Sequence, residues 1–221
     1  MAWLGRFPGY YFTIDDDIIY PHDYCKTVVR HMKVFNNSVI CSYEGRTYTI
    51  KNGKPVTMDF NKCKVFSFIK GYSDYNVLHR AGGGVMCMYP EKLPFNYVNY
   101  TSMPKNSGDD EITSVLCQKY NVKLIRPPST SEYLNMNKSN TFIQALHMNV
   151  KGVSQRKQYM MQYDKWRSAS MSVDLGYVKY KNLGDSVSDI VVKNISNNNV
   201  NKIWLYESGR RPCILTIGSI L

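Results

Sequence analysis

The sequence predicts an α/β fold in which a mixed β-sheet is flanked by helices. Short apolar runs alternate with segments whose apolar residues recur at helical spacing, which is the pattern of strands covered by helices. Of the 221 residues, 43% are hydrophobic and 20% are charged, and these proportions argue against wholesale disorder. A chain of 221 residues is long enough for one substantial core, so we expect one main domain with a separate tail.

The first elements can be placed from local patterns. Residues 10–14 form a continuous apolar run that is typical of a buried strand. Pro21 and Asp23 suit the first turn of a helix that ends near Asn36. The apolar residues that recur at helical spacing in this segment are Tyr24, Val28, Met32 and Phe35.

The middle of the sequence predicts strands, a glycine interruption and a second helix. An alternating segment at 38–50 leads into a hairpin turn at 51–54, and another strand is predicted at 64–69. Three consecutive glycines interrupt a further strand and allow backbone or ligand to approach closely. After a loop at 90–103, residues 107–111 suit the start of a helix, and a strand follows at 122–126.

Beyond residue 128 the patterns predict helices and then short strands. They divide the chain into a core at 1–128, a helical extension at 129–193, and an Asn-rich linker with a short β-containing tail at 194–221. Within the last two parts, helices are expected at 139–149 and 152–170, a loop at 194–201, and strands at 202–206 and 213–217.

Charge and cysteine content limit the function classes. The formal net charge of +11 indicates a polyanionic partner, which could be nucleic acid, an acidic membrane surface or a phosphorylated ligand. No apolar run approaches the length of a membrane span and no signal-peptide pattern is present, so a cytoplasmic location is the default expectation. The six cysteines form no C-x-x-C pair and are expected to be reduced core residues.

The most informative feature is the cluster of Asp15, Asp16 and Asp17 directly after the first apolar run. Three adjacent negative charges repel one another, so a fold keeps them together where a metal, a cationic ligand or solvent offsets the repulsion. Taken alone, three acids are more typical of a solvated turn or a helix start. Their position at the end of a buried strand favours a ligand site. Because Asp15 and Asp17 are two residues apart, an extended backbone would place both carboxylates on the same side.

The run from Gly9 to Tyr24 resembles the D-x-D region of GT-A-type nucleotide-sugar glycosyltransferases, close to the family 2 group. Three further features occur in the order of that family: Tyr43-Glu44-Gly45-Arg46, the glycine triplet, and Gly108-Asp109-Asp110-Glu111 at a helix start. The resemblance covers roughly residues 3–128 and implies a partial GT-A, Rossmann-like sheet.

The resemblance also implies roles for individual residues. Asp15 and Asp17 would bind Mn²⁺ or Mg²⁺, and Asp110 would be the general base, with Asp109 beside it. The residues implied in donor binding are Asp15, Asp16, Asp17, Arg46, Gly82, Gly83 and Gly84. The alternatives are helix capping for the acids at 109–111, a turn or bulge for the glycines, and an ion-paired surface residue for Arg46. The family often has His-Gly-Arg where this chain has Glu44-Gly45-Arg46, so no role is inferred for Glu44.

Only fourteen residues precede Asp15, far fewer than in GT-A enzymes. By this comparison most of the nucleoside pocket is missing. Either the enzyme is truncated or split, or its N-terminus starts late, or a partner chain supplies the missing layer and completes the fold. A sheet without those strands would expose an apolar edge, which favours association or instability.

The resulting hypothesis is a metal-dependent, inverting glycosyltransferase of polysaccharide or glycoconjugate biosynthesis. Its partners would be a nucleotide-diphosphate sugar donor and a glycan or glycoconjugate acceptor. The Tyr-, Met- and Arg-rich segment at 152–170 could add peripheral membrane contact. The alternative is an inactive remnant that binds a glycan or a subunit. Nucleic acid is not expected as a partner, because no recognised nucleic-acid motif accompanies the positive charge.

Overall fold

The computed structural model describes residues 7–59, 62–102, 108–136 and 160–169, together with the backbone of 203–207 and 213–215. The helices are α1 (Tyr24–Val34), α2 (Tyr97–Thr101) and α3 (Asp109–Tyr120). The strands are β1 (Tyr10–Ile14), β2 (Ile18–Ile19), β3 (Val39–Ser42), β4 (Gly45–Thr47), β5 (Ile50–Lys51), β6 (Lys54–Pro55), β7 (Lys64–Phe66), β8 (Asn76–Leu78), β9 (Arg80–Ala81), β10 (Met86–Met88), β11 (Lys123–Arg126), β12 (Asn135–Met136), β13 (Ile203–Glu207) and β14 (Cys213–Leu215).

The main sheet has seven strands in the order β14-β13-β1-β10-β3-β11-β8. Two neighbouring pairs, β1 with β13 and β3 with β11, are parallel, and the other neighbours are antiparallel. The predicted α/β class and mixed sheet are therefore confirmed. The described helices are few.

Helices cover both faces of this sheet, because successive side chains of each strand point to opposite sides. On one face, Tyr11 and Ile40 belong to a core cluster that also contains Leu116 of α3. On the other face, Phe12 packs in a second cluster with Val28 of α1. The central strands are buried on both sides, which explains their continuous apolar sequences.

The two long helices begin and end where the sequence predicts. α1 follows Asp23, whose carboxylate accepts a hydrogen bond of 2.9 Å from the Thr27 hydroxyl. α3 has three acidic residues in its first turn, where they complement the partial positive charge of the helix start. It ends at Asn121, which adopts the left-handed conformation with φ of 58°.

A smaller antiparallel sheet and a hairpin lie beside the main sheet. β4 pairs with both β7 and β9, and the β5–β6 hairpin turns at Asn52 and Gly53. Both turn residues have positive φ, 50° and 73°, as a two-residue hairpin turn requires. This confirms the predicted hairpin.

One described α-helix was not predicted. The segment at 90–103 was expected to be a loop, but it contains α2. The Asn96 side chain accepts a hydrogen bond from the Val98 N–H, and the Asn99 side chain accepts one from the Asn96 N–H. This reciprocal capping stabilises a five-residue helix that apolar periodicity could not reveal.

Residues 160–169 dock on the core in a mostly extended conformation. The helix predicted at 152–170 is wrong for 163–169, although residues 160–162 are helical. The backbone N–H of Trp166 donates to the Gly53 carbonyl at 2.8 Å, and the backbone N–H of Arg167 donates to Gln118 Oε1 at 3.0 Å. The helix predicted at 139–149, residues 152–159 of this one and the loop at 194–201 lie outside the described residues.

The same segment fixes the protonation of a buried histidine. Nδ1 of His79 accepts a hydrogen bond of 2.8 Å from the Tyr48 N–H, so its Nε2 carries the proton that is shared with the Arg167 carbonyl at 2.7 Å. Burial lowers the pKa of His79, which agrees with a neutral ring. Trp166 packs edge-to-face against this ring and against Tyr48.

The outer edge of β1 is paired. An exposed apolar edge was expected there, but β13 aligns parallel to β1, with Tyr10 opposite Ile203 and Ile14 opposite Glu207. β14 then pairs with β13, so the two short strands predicted near the end of the sequence extend the main sheet. The expected exposed edge is therefore wrong, because main-chain hydrogen bonds from later residues satisfy it.

Two further expectations concern cysteines and membranes. Cys41, Cys87 and Cys117 are buried free thiols, as expected for reduced core residues, whereas Cys25 and Cys63 are free but only half-buried. None of the helices in the described parts of the chain combines the length and apolar composition that a membrane crossing requires.

Replacing Trp166 by Ala should lower the free energy of unfolding by about 3 to 5 kcal/mol, because the side chain is only 3% exposed and its removal leaves a cavity. The matched control is Met161→Ala in the same segment, where the side chain is 41% exposed and the change should stay within about 0.5 kcal/mol. Urea unfolding followed by circular dichroism measures both. Equal effects of the two substitutions would mean that this segment does not dock as described.

Candidate functional site

The three aspartates form a turn directly after β1. Asp16 and Asp17 lie in the turn, which is closed by a 3.4 Å hydrogen bond from the Ile18 N–H to the Asp15 carbonyl. The expectation that Asp15 and Asp17 project to the same side of an extended backbone is therefore wrong, because the strand ends at Ile14. Asp15 and Asp16 are exposed, and Asp17 is half-buried.

Two hydroxyl groups connect this aspartate turn to the glycine triplet. The Thr13 hydroxyl donates to the Gly83 carbonyl, and it accepts a hydrogen bond of 3.2 Å from the Met86 N–H. The Tyr20 hydroxyl accepts a hydrogen bond of 2.9 Å from the Asp15 N–H and donates to the Gly84 carbonyl. These bonds hold the two turns against each other.

The glycine triplet forms a tight turn between β9 and β10, and its three residues face three different carboxylates. A Cβ atom on Gly84 would collide with the Asp15 carboxylate. A Cβ on Gly83 would lie 2.8 Å from Oδ1 of Asp110, and one on Gly82 would lie 2.7 Å from Cβ of Glu44. The absence of side chains therefore lets acids from the turn after β1, from α3 and from the β3–β4 connection approach one short turn.

An arginine of β9 holds the acids at the start of α3. Nη2 of Arg80 lies 3.1 Å from Oδ2 of Asp110 and 2.6 Å from Oε1 of Glu111. The Asp110 side chain is 25% exposed, whereas that of Glu111 is only 4% exposed. Of the two carboxylates, Asp110 is the one that can meet a ligand.

Asp110 has the electrostatic properties of a proton acceptor near neutral pH. Burial raises the pKa of its carboxyl from 3.8 to about 6, with smaller contributions from the negative charges of Glu111 and Asp109. Arg80 acts in the opposite direction but does not outweigh the loss of solvation. A base of this pKa is deprotonated at pH 7 and still accepts protons readily.

Glu44 adds a third carboxylate to the site. Burial raises its pKa, the charges of Arg46 and Arg80 oppose that rise, and Asp15 and Asp17 add to it. Its main chain is also held near the glycines, since the Gly82 N–H donates to the Glu44 carbonyl at 2.8 Å. The Glu44 carboxylate is thus influenced both by the charges of the aspartate turn and by those of the two arginines.

The carboxylates of the aspartate turn are the type of ligand that a hard cation prefers. Partial burial raises the pKa of Asp15, followed by repulsion from Asp17 and Asp16, and a bound cation would relieve that repulsion. Among the described residues, no group of three or more His, Cys, Asp or Glu side chains is arranged so that it could hold a metal ion. Carboxylates such as those of Asp15 and Asp17 are the ligand type of a cation like Mg²⁺, which usually takes one or two carboxylates and completes its shell with water and phosphate oxygens.

No family model matches the sequence, and no curated protein matches it.

The structure brings together most of the residues that the sequence nominated. Asp15, Asp110 and the three glycines meet at one turn. Arg46 lies opposite Arg80 across the β4–β9 pair, and Asp109 occupies the first position of α3. Asp16 is exposed in the aspartate turn.

Sequence patterns missed four contributors to this site: Thr13, Tyr20, Glu44 and Arg80. Arg80 directly precedes Ala81 and the glycines, which was its only local signal. Its ion pairs depend on the packing of β9 against α3, and the strand pattern around it does not predict that packing.

The raised pKa of Asp110 predicts a pH-dependent cost to folding. Protons leave Asp110 near pH 3.8 in the unfolded chain and near pH 6 in the folded protein, so its contribution to stability is lost as the pH rises through that interval. In the Asp110→Asn variant the side chain is neutral at every pH, so this pH-dependent loss does not occur. Its free energy of unfolding relative to the unaltered protein should rise between pH 4 and pH 7, by about 1.4 kcal/mol for each unit of pKa shift.

Urea unfolding of both proteins at the two pH values measures this difference. A difference in stability that is the same at pH 4 and pH 7 would contradict the raised pKa.

Proposed function

We propose that this protein is a metal-dependent, inverting glycosyltransferase that transfers a sugar from a nucleotide-diphosphate sugar to a glycan or glycoconjugate acceptor. The observation that supports the proposal is the glycine turn, where Gly84 faces Asp15 and the adjacent Gly83 faces Asp110. By the resemblance, Asp15 would serve the leaving-group side of the reaction and Asp110 the acceptor side. The two acids face adjacent glycines of one turn.

Asp110 would act as the general base. One of its oxygens is held by Arg80, and the other faces Gly83. As the acceptor oxygen forms a bond to the anomeric carbon, its proton passes to Asp110, and the bond from that carbon to the diphosphate oxygen breaks with its electron pair. Attack from the side opposite the leaving group inverts the anomeric configuration.

Asp15 and Asp17 would hold the cation that accompanies the donor diphosphate. When bound, Mn²⁺ or Mg²⁺ would supply positive charge next to the departing phosphate oxygens. Tyr20 and Thr13 would keep the aspartate turn in place, because their hydroxyls bridge it to the glycine turn. Arg46 would balance the charge of Glu44 or meet a phosphate oxygen.

The fold agrees with this proposal at a coarse level. The described chain has a mixed sheet with helices on both faces, and the aspartate turn follows one of its central strands. Ligands of open α/β sheets bind beyond the ends of strands, which is where this turn lies. A Rossmann-like GT-A arrangement, a cytoplasmic location and a role in polysaccharide biosynthesis belong to the same proposal.

The first test measures donor binding and hydrolysis. The protein is incubated with Mn²⁺ and a panel of nucleotide-diphosphate sugars, and its melting temperature and the release of nucleoside diphosphate are followed. We expect stabilisation that requires both metal and donor, together with slow donor hydrolysis. Asp17→Asn should weaken both effects at least tenfold, because it removes a charged oxygen ligand.

The matched control is Asp74→Asn, which changes an exposed aspartate outside the site and should leave both effects unchanged. If no metal and donor combination alters melting, the proposal fails, and binding of a glycan or another subunit without catalysis becomes the better explanation. A steep salt-dependent affinity for random nucleic acid that Asp17→Asn leaves intact would favour a third class, a nucleic-acid-binding protein.

Two glycine substitutions should separate the two halves of the site. In Gly84→Ala the new methyl group displaces Asp15, so metal-dependent donor binding should weaken by about tenfold or more. In Gly83→Ala the methyl group meets Oδ1 of Asp110 at 2.8 Å, so turnover should fall while metal-dependent stabilisation by the donor remains. Melting shifts and rates measured on both variants test this. Identical losses in both would contradict the separate roles of the two acids.

A further inference from the structure

We propose that Arg80 is a positioning residue for Asp110, because it holds one carboxylate oxygen so that the other faces the glycine turn. The inference rests on the proposed function, in which Asp110 receives the acceptor proton. Arg80 itself meets neither donor nor acceptor in this proposal, and it acts through Asp110.

The contacts of Arg80 leave its guanidinium little freedom. It lies on β9, and its Nη2 bonds to Oδ2 of Asp110 at 3.1 Å and to Oε1 of Glu111 at 2.6 Å. The Arg80 side chain is 16% exposed and that of Glu111 is 4% exposed. Glu111 is therefore a buried anchor that fixes the arginine, and the arginine in turn fixes Asp110.

This arrangement determines which oxygen of Asp110 is available. A carboxylate at a helix start can rotate about its Cβ–Cγ bond and present either oxygen to a ligand. Arg80 removes that freedom by binding Oδ2, and Oδ1 then faces Gly83. A general base must lie within hydrogen-bond reach of the proton it accepts, so a fixed orientation favours transfer.

The charges around Arg80 and Asp110 favour their ion pair. Asp110 faces Arg80, Glu111 and Asp109, of which only Arg80 is positive. Arg80 in turn lies opposite Arg46 across the β4–β9 pair, and this like charge disfavours its position unless the carboxylates hold it. Removing Arg80 would free Asp110 to rotate and would raise its affinity for protons.

The experiment isolates Arg80 from the fold. Arg80→Gln alone would leave Glu111 buried without its partner, so the comparison is made between Glu111→Gln and the double variant Arg80→Gln/Glu111→Gln. The titration midpoint of the Asp110 carboxyl carbon is measured by NMR, and the pH dependence of turnover is measured on the same proteins. Melting curves establish that both variants are folded.

We expect the midpoint in the double variant to lie about one pH unit or more above that in Glu111→Gln, and the acidic limb of the rate profile to move with it. Turnover of the double variant at pH 7 should be about tenfold lower than that of Glu111→Gln. Arg80→Lys in the otherwise unaltered protein should keep the midpoint close to its original value, because the positive charge is retained. The control Arg30→Gln, on α1 at the opposite face of the sheet, should not move the midpoint.

Equal titration midpoints of Asp110 in the two folded variants would overturn the proposal. A loss of turnover without any shift of the rate profile along the pH axis would also overturn it, because that is the result expected if Arg80 had only a structural role. The NMR titration needs no donor, so it separates the two proposals. A shifted midpoint in a protein that turns over no donor would overturn the proposed function and leave the control of Asp110 by Arg80 supported.

Discussion

Three carboxylates from separate elements can approach one short turn because that turn carries no side chains. Any residue larger than glycine at 83 or 84 would meet a carboxylate oxygen of Asp110 or Asp15. The close approach has an electrostatic cost, since burial and like charge raise the pKa of all three acids. Arg80 and the Thr13 and Tyr20 hydroxyls hold the arrangement together against that cost.

Local patterns were sufficient for the elements that local chemistry determines. The apolar run of β1, the helical spacing in α1 and the Asn52-Gly53 turn each reflect short-range geometry, and each was placed correctly. They were insufficient where tertiary contacts decide. Residues 163–169 have helical-looking apolar spacing, yet they are extended because Trp166 packs against Tyr48 and His79.

The candidate site divides in the same way. Asp15, Asp110 and the glycines stand out in the sequence because each lies in an unusual local run. Glu44 and Arg80 do not, since their importance comes from the antiparallel pairing of β4 with β9 and from the packing of β9 against α3. That pairing joins segments more than thirty residues apart in the sequence, and no local pattern specifies it.

The pairing of β1 with β13 has a consequence for the kinetics of folding. Tyr10 aligns with Ile203, so one side of the strand that precedes the aspartate turn is completed by residues from the distant end of the sequence. Contacts between residues so far apart in the sequence form slowly, because the entropy of a very long loop must be overcome first. Refolding should therefore proceed from the local helices and hairpin toward a late step at this strand, and the aspartate turn should be among the last regions to reach its native geometry.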